Sequence, residues 1–297
     1  MTYDRNNVTG HFANFGGRQN FEGPITIGAP APVVAAEPAR RTTAEVGVLT
    51  VINPEIQAVV AALRKMYDYR ERRLAHGPLA YEAWLPGRHG RQVRVAAVQT
   101  LEQGNEQAAL AYRRLVEEYN PAIVLLVGVA GGVAARVRIG DVVLGDQVIS
   151  YDHRKETEQG TLRRGRSQSV SADLGHRLNE FFTAVPAEQL RAGDGTFHLH
   201  RGPVGSGNAV VTDADSEIRR WLYEFHDKVL AVETEAAGVA QSFHESVRHD
   251  GVRGWLTIRG ISDTADRAKA DSHQSLAAGH AAEVMAMLLP FLDFHAS

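Results

Sequence analysis

The chain has 297 residues, 44% hydrophobic and 23% charged, with a formal net charge of −3; this fits one large soluble domain or two small ones and gives no electrostatic ground for a nucleic-acid or acidic-membrane partner. It contains no cysteine, which excludes disulfides, thiolate zinc sites and cysteine nucleophiles. No apolar run reaches the ~18–20 residues of a membrane span, and the start, MTYDRNNVTGHF, lacks the basic-then-apolar plan of a signal peptide, so a cytoplasmic protein is expected.

Residues 1–43 differ in composition from the rest. NNVTGHFANFGGRQNFEGPITIGAPAP is rich in Gly, Asn and Pro. The expectation is a flexible tail, or else an ordered arm for self-association, ahead of a single domain at 44–297.

From Val46 the pattern changes. VGVLTVI (46–52) reads as a buried strand. Asn53-Pro54 reads as the N-cap and first position of a helix. Its apolar residues Ile56, Val59, Val60, Leu63, Met66 and Tyr67 recur at helical spacing. VRVAAVQT (93–100) is a second strand, followed by a helix from about Asn105 to Tyr119. AIVLLVGVAGG (122–132) is the most apolar strand and ends at a glycine turn, Gly128, Gly131 and Gly132, where a ligand can approach the backbone closely. DVVLGDQVISYD (141–152), GPVGSGNAVV (202–211) and VLAVET (229–234) are further strands. The last hands over to a helix with Val232, Ala236, Val239, Phe243 and Val247 on one face. WLTIRGIS (255–262) is the final strand, and a helix carrying Leu276, Val284, Met287, Leu288 and Phe291 closes the chain. Apolar strands alternating with helices predict an α/β fold: one three-layer αβα domain on a central mixed, largely parallel, twisted sheet.

In such sheets ligands lie beyond the carboxyl ends of the strands. AVETEAAGVA (231–240) places Glu233 and Glu235 at one strand exit. Asp263 follows the last strand and Glu55 follows the first. Buried acids are costly unless something uses them. Each alone would serve as a helix-start acid accepting from free backbone N–H groups. Acids at three strand exits point instead to one shared pocket.

Other patterns carry less. GVAGGV (128–133) is not GxGxxG, and GxxxxGK[ST], HExxH and GxSxG do not occur. His198 and His200 read as surface histidines, having no further ligands nearby in sequence. VVTDADS (210–216) reads as a helix start, with Thr212 or Asp213 capping a helix at Glu217–Phe225 rather than acting as a phosphatase nucleophile.

Four segments, in order, resemble the purine nucleoside phosphorylase/nucleosidase superfamily, in particular its 5′-methylthioadenosine/S-adenosylhomocysteine nucleosidases. They are VGVLTVINPEIQAV with Glu55, LLVGVAGGVAARVRIGDVVLGDQVISYD, AVETEAAGVAQ and IRGISDTAD. The resemblance spans about residues 45–292. It implies a nucleoside phosphorylase-like fold and an enzyme that splits an N-ribosidic bond. Asp263 would protonate the purine N7, a general-acid role worth roughly 10²–10⁴-fold. Glu235 would hold the ribose hydroxyls and Glu55 would activate water. Val129, Ala130, Gly131, Val210, Val211, Glu233, Thr234 and Ser262 would complete the substrate site. The resemblance implies no metal or organic cofactor. The partner would be a small-molecule purine nucleoside or nucleotide, and the assembly a homo-oligomer, dimer or hexamer.

The chain departs from the family pattern at several points. Val129 stands where the family has serine, and Val210 where it has an aromatic residue that stacks on adenine. RAKADSHQS after the last strand lacks the phenylalanine of the alkylthio subsite. The loop from Tyr151 carries Arg154 and Lys155, cations suited to a 5′-phosphate. Nucleosidase domains this divergent resemble effector domains of microbial immune systems, which implies an adenine nucleotide such as AMP or ATP as a rival to methylthioadenosine or S-adenosylhomocysteine. Ile52-Asn53-Pro54-Glu55 holds no arginine to bind phosphate, which favours hydrolysis. The alternatives are a phosphate-dependent phosphorylase, or a nucleotide-sensing module without turnover.

Overall fold

The computed structural model describes residues 43–74, 77–88, 90–187, 190–192, 195–211, 213, 215–246, 251–265 and 273–292. The expected tail, Thr212, Val247 and most of RAKADSHQS lie outside them.

The elements, in chain order, are β1 (Val46–Thr50), α1 (Asn53–Leu63), β2 (Tyr67–Arg73), β3 (Leu79–Pro86), β4 (Gln92–Gln99), α2 (Asn105–Tyr119) and β5 (Ile123–Gly132). Then come β6 (Val142–Ser150), β7 (Arg154–Thr157), β8 (Gly160–Arg163), β9 (Arg166–Ser169), α3 (Ala172–Ala184), β10 (Leu190–Ala192), β11 (Gly195–Phe197) and β12 (Leu199–Ser206). The chain closes with α4 (Glu217–Phe225), β13 (Ala231–Glu233), α5 (Ala236–Ser246), β14 (Gly254–Asp263) and α6 (Gln274–Leu288). Ten strands form one mixed sheet in the order β13-β12-β6-β14-β5-β1-β4-β3-β2, with β9 paired to β6. Apolar residues of α1, α3 and α6 pack on one face and those of α2 and α5 on the other, giving the three expected layers. On α2 the buried residues Ala108, Ala111, Tyr112, Leu115, Val116 and Tyr119 fall three and four apart, the spacing of one helix face.

The site is placed by a change of partner along β5. Residues Ile123–Leu126 pair in parallel with β1. Farther on, Gly131 and Gly132 pair antiparallel with Val232 and Ala231 of β13. Strand β14 stays beside β5 throughout, as far as Asp263 opposite Gly131. Where β1 leaves for α1 and β13 comes in, a crevice opens at the strand ends, the place where α/β sheets bind ligands. The three glycines expected as a turn are therefore part of β5 itself.

Local details differ from expectation for identifiable reasons. Helix α1 stops at Leu63, and Tyr67 opens β2, an outer strand of sequence YDYRERR. Its charged, exposed pattern suits an edge and carries no apolar signal. Asn53 lies inside α1, and Ile52 holds the cap position. Strand β12 starts at Leu199 and ends at Ser206, with an irregularity between Arg201 and Pro203, where proline is tolerated in a sheet. Ser216 caps α4 by accepting from Arg219 N–H (3.1 Å), while Asp213 accepts from Asp215 N–H in a local turn. No helix of the described residues is long and apolar enough to cross a membrane.

Candidate active site

Glu55 sits in the first turn of α1 and folds back on the exit of β1. Its Oε2 accepts from Val51 N–H (2.6 Å) and Ile52 N–H (3.0 Å), and Oε1 accepts from Val129 N–H (2.8 Å). The helix start thus supplies donors, and β5 supplies a third across the crevice.

Arg259, in mid β14, is fully buried. Its Nη2 donates to Glu233 and to Glu235 Oε2 (3.2 Å), and its Nη1 lies 3.9 Å from Glu55 Oε1. Nη1 has no hydrogen-bond partner among the described residues. Gly128 makes this meeting possible: a Cβ there would lie 2.3 Å from Glu55 Oε1 and 2.4 Å from Arg259 Nη1. One guanidinium therefore joins acids from two strand exits.

Glu233 and Glu235 divide the work of the β13 exit. Glu233 accepts from the backbone N–H groups of Glu235 and Ala236 (2.9–3.1 Å), so it caps α5 as well as holding Arg259. Glu235 accepts from Gly104 N–H (3.0 Å) and from the Thr234 hydroxyl through Oε1. Asp263 ends β14. Its Oδ1 accepts from Ala265 N–H (2.8 Å) and Oδ2 from the Ser262 hydroxyl (3.0 Å).

Burial raises Glu55 above the ordinary glutamate value, against the pull of Arg259 and three backbone N–H groups. Burial also raises Glu233, against Arg259 and with help from Glu235. Burial alone would lower Arg259, but Glu233, Glu235 and Glu55 raise it and keep it charged. Perturbed acids around a buried cation in a crevice are typical of a working site.

The acids among these groups line one cleft, open to solvent at its mouth. Glu55, Glu235 and Asp263 all face it, as do Glu233, Thr234 and Ser262. Val129, Ala130, Gly131, Val210 and Val211 complete the set read from the sequence. Arg154 and Lys155 do not line it. They stand exposed on β7, which pairs with β8 in a separate hairpin, and Arg154 is paired with Glu156.

A family model for the phosphorylase superfamily matches residues 45–290. The chain belongs to the phosphorylase superfamily. Among curated relatives, the ATP nucleosidase Cap17 of Escherichia coli (strain KTE188) is 28% identical over 203 residues, 62% of this chain and 39% of that protein. The chain thus spans about two fifths of the length of the curated relatives it matches. A 5′-methylthioadenosine/S-adenosylhomocysteine nucleosidase from Neisseria meningitidis, solved with methylthio-immucillin-A, superposes with a TM-score of 0.64 at 23% identity, covering 82% of this chain and 98% of that one. Futalosine hydrolase of Helicobacter pylori gives 0.61 at 19% identity, covering 82% and 96%. At these identities the structural likeness is one of fold.

For this member of the superfamily, the sequence reading passed over Arg259 and Tyr151, as well as Gln103 and Gln274 at the cleft wall. Arg259 had a signal: a cation inside WLTIRGIS, an otherwise apolar buried strand, demands a buried acid. His198 and His200 are not simple surface histidines. Both reach the buried Asp141 (3.3 and 2.9 Å), where β6 and β12 begin and where Asp141 O accepts from Ile261 N–H of β14 (2.8 Å). Burial raises Asp141, but His200 and the N–H groups of His198 and Arg138 hold it down at about 2. Among the described residues no group of His, Asp and Glu is arranged to hold a metal ion.

Proposed function

We propose that this protein is an N-ribosyl hydrolase that releases adenine from a 5′-substituted adenosine, with adenine nucleotides as its substrate class. The observation that carries the reading is the division of acids within one cleft. Glu55 and Glu235 share Arg259, while Asp263 stands apart from that guanidinium and faces the cleft from β14. Cleaving an N-ribosidic bond needs two separate acids, one for the leaving base and one for water, as in glycosidases. Asp263 gives its proton to N7 of adenine as the C1′–N9 bond breaks. Glu55 takes a proton from the water whose oxygen bonds to C1′. Glu235 accepts from the ribose hydroxyls and stabilises the positive charge developing on the sugar. The products are adenine and the 5′-substituted ribose.

Water is favoured over phosphate as nucleophile because no Lys or Arg lines the cleft among the described residues, and Glu55 would repel an anion. The ATP nucleosidase relative supports a nucleotide substrate. Because Arg154 and Lys155 of the same chain do not line the cleft, the 5′-phosphates fall to Arg154 and Lys155 of a second copy in a dimer or hexamer, on the hairpin that leaves β6 just beyond Tyr151.

The test is adenine release in phosphate-free buffer from adenosine, methylthioadenosine, AMP and ATP. Cleavage of AMP or ATP is expected at a kcat/KM about tenfold above that of methylthioadenosine, the worth of one charge-assisted hydrogen bond. Lys155→Ala is expected to remove most of that advantage and leave adenosine cleavage unchanged. A preference for methylthioadenosine would overturn the nucleotide assignment, and a requirement for inorganic phosphate would make the enzyme a phosphorylase.

A further inference from the structure

The cleft holds little that could stack on a purine. Tyr151 is the only aromatic residue among its described lining residues. The wall that follows β12 is made of Ala209, Val210 and Val211, and Val210 is 57% exposed. Short side chains leave recognition of a flat base to the backbone of that segment, and a backbone can select a base edge only when it is held still.

Four contacts from two consecutive residues hold it. Tyr151 N–H donates to Ser206 O (3.1 Å). The Tyr151 hydroxyl donates to Ala209 O (2.7 Å), with Gly207 O at 3.2 Å. Asp152 Oδ2 accepts from Asn208 N–H (2.7 Å). Each residue from 206 to 209 is thus tied to Tyr151 or Asp152. The Tyr151 ring is buried and packs with Val211 and Val232. Gly207 has the only side chain that fits, since a Cβ would lie 2.3 Å from the ring.

Resting on the adenine reading above, we propose that Tyr151 is a positioning residue for base recognition, fixing the 207–211 segment through its hydroxyl so that backbone groups there select the purine. Burial, with Glu233, Asp152 and Glu235 nearby, raises the phenol far above its ordinary range despite Arg163, so the hydroxyl stays a donor at any working pH.

The experiment compares the full-length wild type with Tyr151→Phe and Asp152→Ala, measuring adenine binding by calorimetry and nucleotide cleavage kinetics. Tyr151→Phe keeps the ring and loses the tie. Its adenine Kd and its KM are expected to rise about tenfold, with kcat within about twofold of wild type, the scale of one lost hydrogen bond. Asp152→Ala, at a half-buried position, is expected to raise both about threefold by the same reasoning; it decides the matter if the first variant does not fold. A merely structural role would lower the active fraction and leave Kd alone. Unchanged adenine affinity in the folded variants would overturn the assignment. Calorimetry needs no turnover: a wild type that binds adenine but cleaves nothing sinks the hydrolase reading alone, whereas failure to bind adenine sinks both.

Discussion

Two of the ionic clusters among the described residues, each holding buried acid, are built on opposite ratios. In the cleft, three acids, Glu55, Glu233 and Glu235, surround one cation, Arg259. At the outer end of the sheet one acid, Glu82, meets three cations. Its Oε1 accepts from Arg72 Nε (2.9 Å) and the Tyr119 hydroxyl (2.7 Å), and its Oε2 from Arg70 Nε (3.0 Å) and Arg94 Nη2 (2.6 Å). Burial raises Glu82, but Tyr119, Arg72 and Arg94 hold it down at about 2. Glu55 and Glu233 shift the other way. The outer acid is satisfied at every lone pair and has nothing left to offer. The cleft cluster is acid-rich and its acids line open space; among the described residues both clusters keep buried arginine nitrogens without a hydrogen-bond partner, Nε and Nη1 of Arg259 and Nε of Arg94. Neither burial of charge nor an unpaired nitrogen marks a site by itself; acids in excess, shifted upward and facing open space, do.

The comparison breaks first at Asp263. Asp263→Asn keeps an oxygen for Ala265 N–H but has no proton to give N7. Adenine release is expected to fall about 10³-fold, with thermal unfolding close to wild type. An Asp263→Asn variant that still releases adenine at the wild-type rate would remove the general acid from the scheme.

The outer cluster should behave in reverse. Glu82→Gln keeps an acceptor oxygen but removes the charge facing Arg94, the buried one of its three arginines, and loss of a charge-assisted hydrogen bond of this kind costs about 2 kcal/mol. Denaturant unfolding at pH 7 should show that loss, while kcat per folded molecule stays at the wild-type value. A fall in kcat with unchanged stability would mean that the outer cluster serves the chemistry.

The parts of this architecture that rest on apolar periodicity were legible from residues alone. Strands β1, β4, β5 and β14 and helix α2 lie where the apolar residues put them, and α4 lies where a cap at the end of VVTDADS puts it. Strands β2 and β3 were not legible, because β2 is a charged edge whose neighbours are decided by the fold. Glu55, Glu235 and Asp263 could be singled out because an acid at a strand exit is conspicuous locally. The link between Glu55 and Glu235 through Arg259 depends on β14 lying beside β5, a non-local fact. Tyr151 was hidden for a similar reason: its partners stand more than fifty residues away, on β12 and the segment that follows it.

Acid separates the two clusters most finely. Glu82 has a folded value near 2 against an ordinary 4.5. It stabilises the fold above about pH 4.5, and that contribution is lost as pH falls from there toward 2. Glu55 is raised, so its base form disappears at a pH above 4.5. The sign for stability is also opposite, because a raised carboxyl costs the fold least once it is protonated. Falling pH should therefore remove activity while the fold holds. In the acid limb kcat/KM should drop about tenfold per pH unit, beginning above pH 4.5, and the denaturant midpoint should decline only below it. If kcat/KM and the midpoint fell together, Glu55 would not be the base, and the acid limb would report unfolding governed by Glu82.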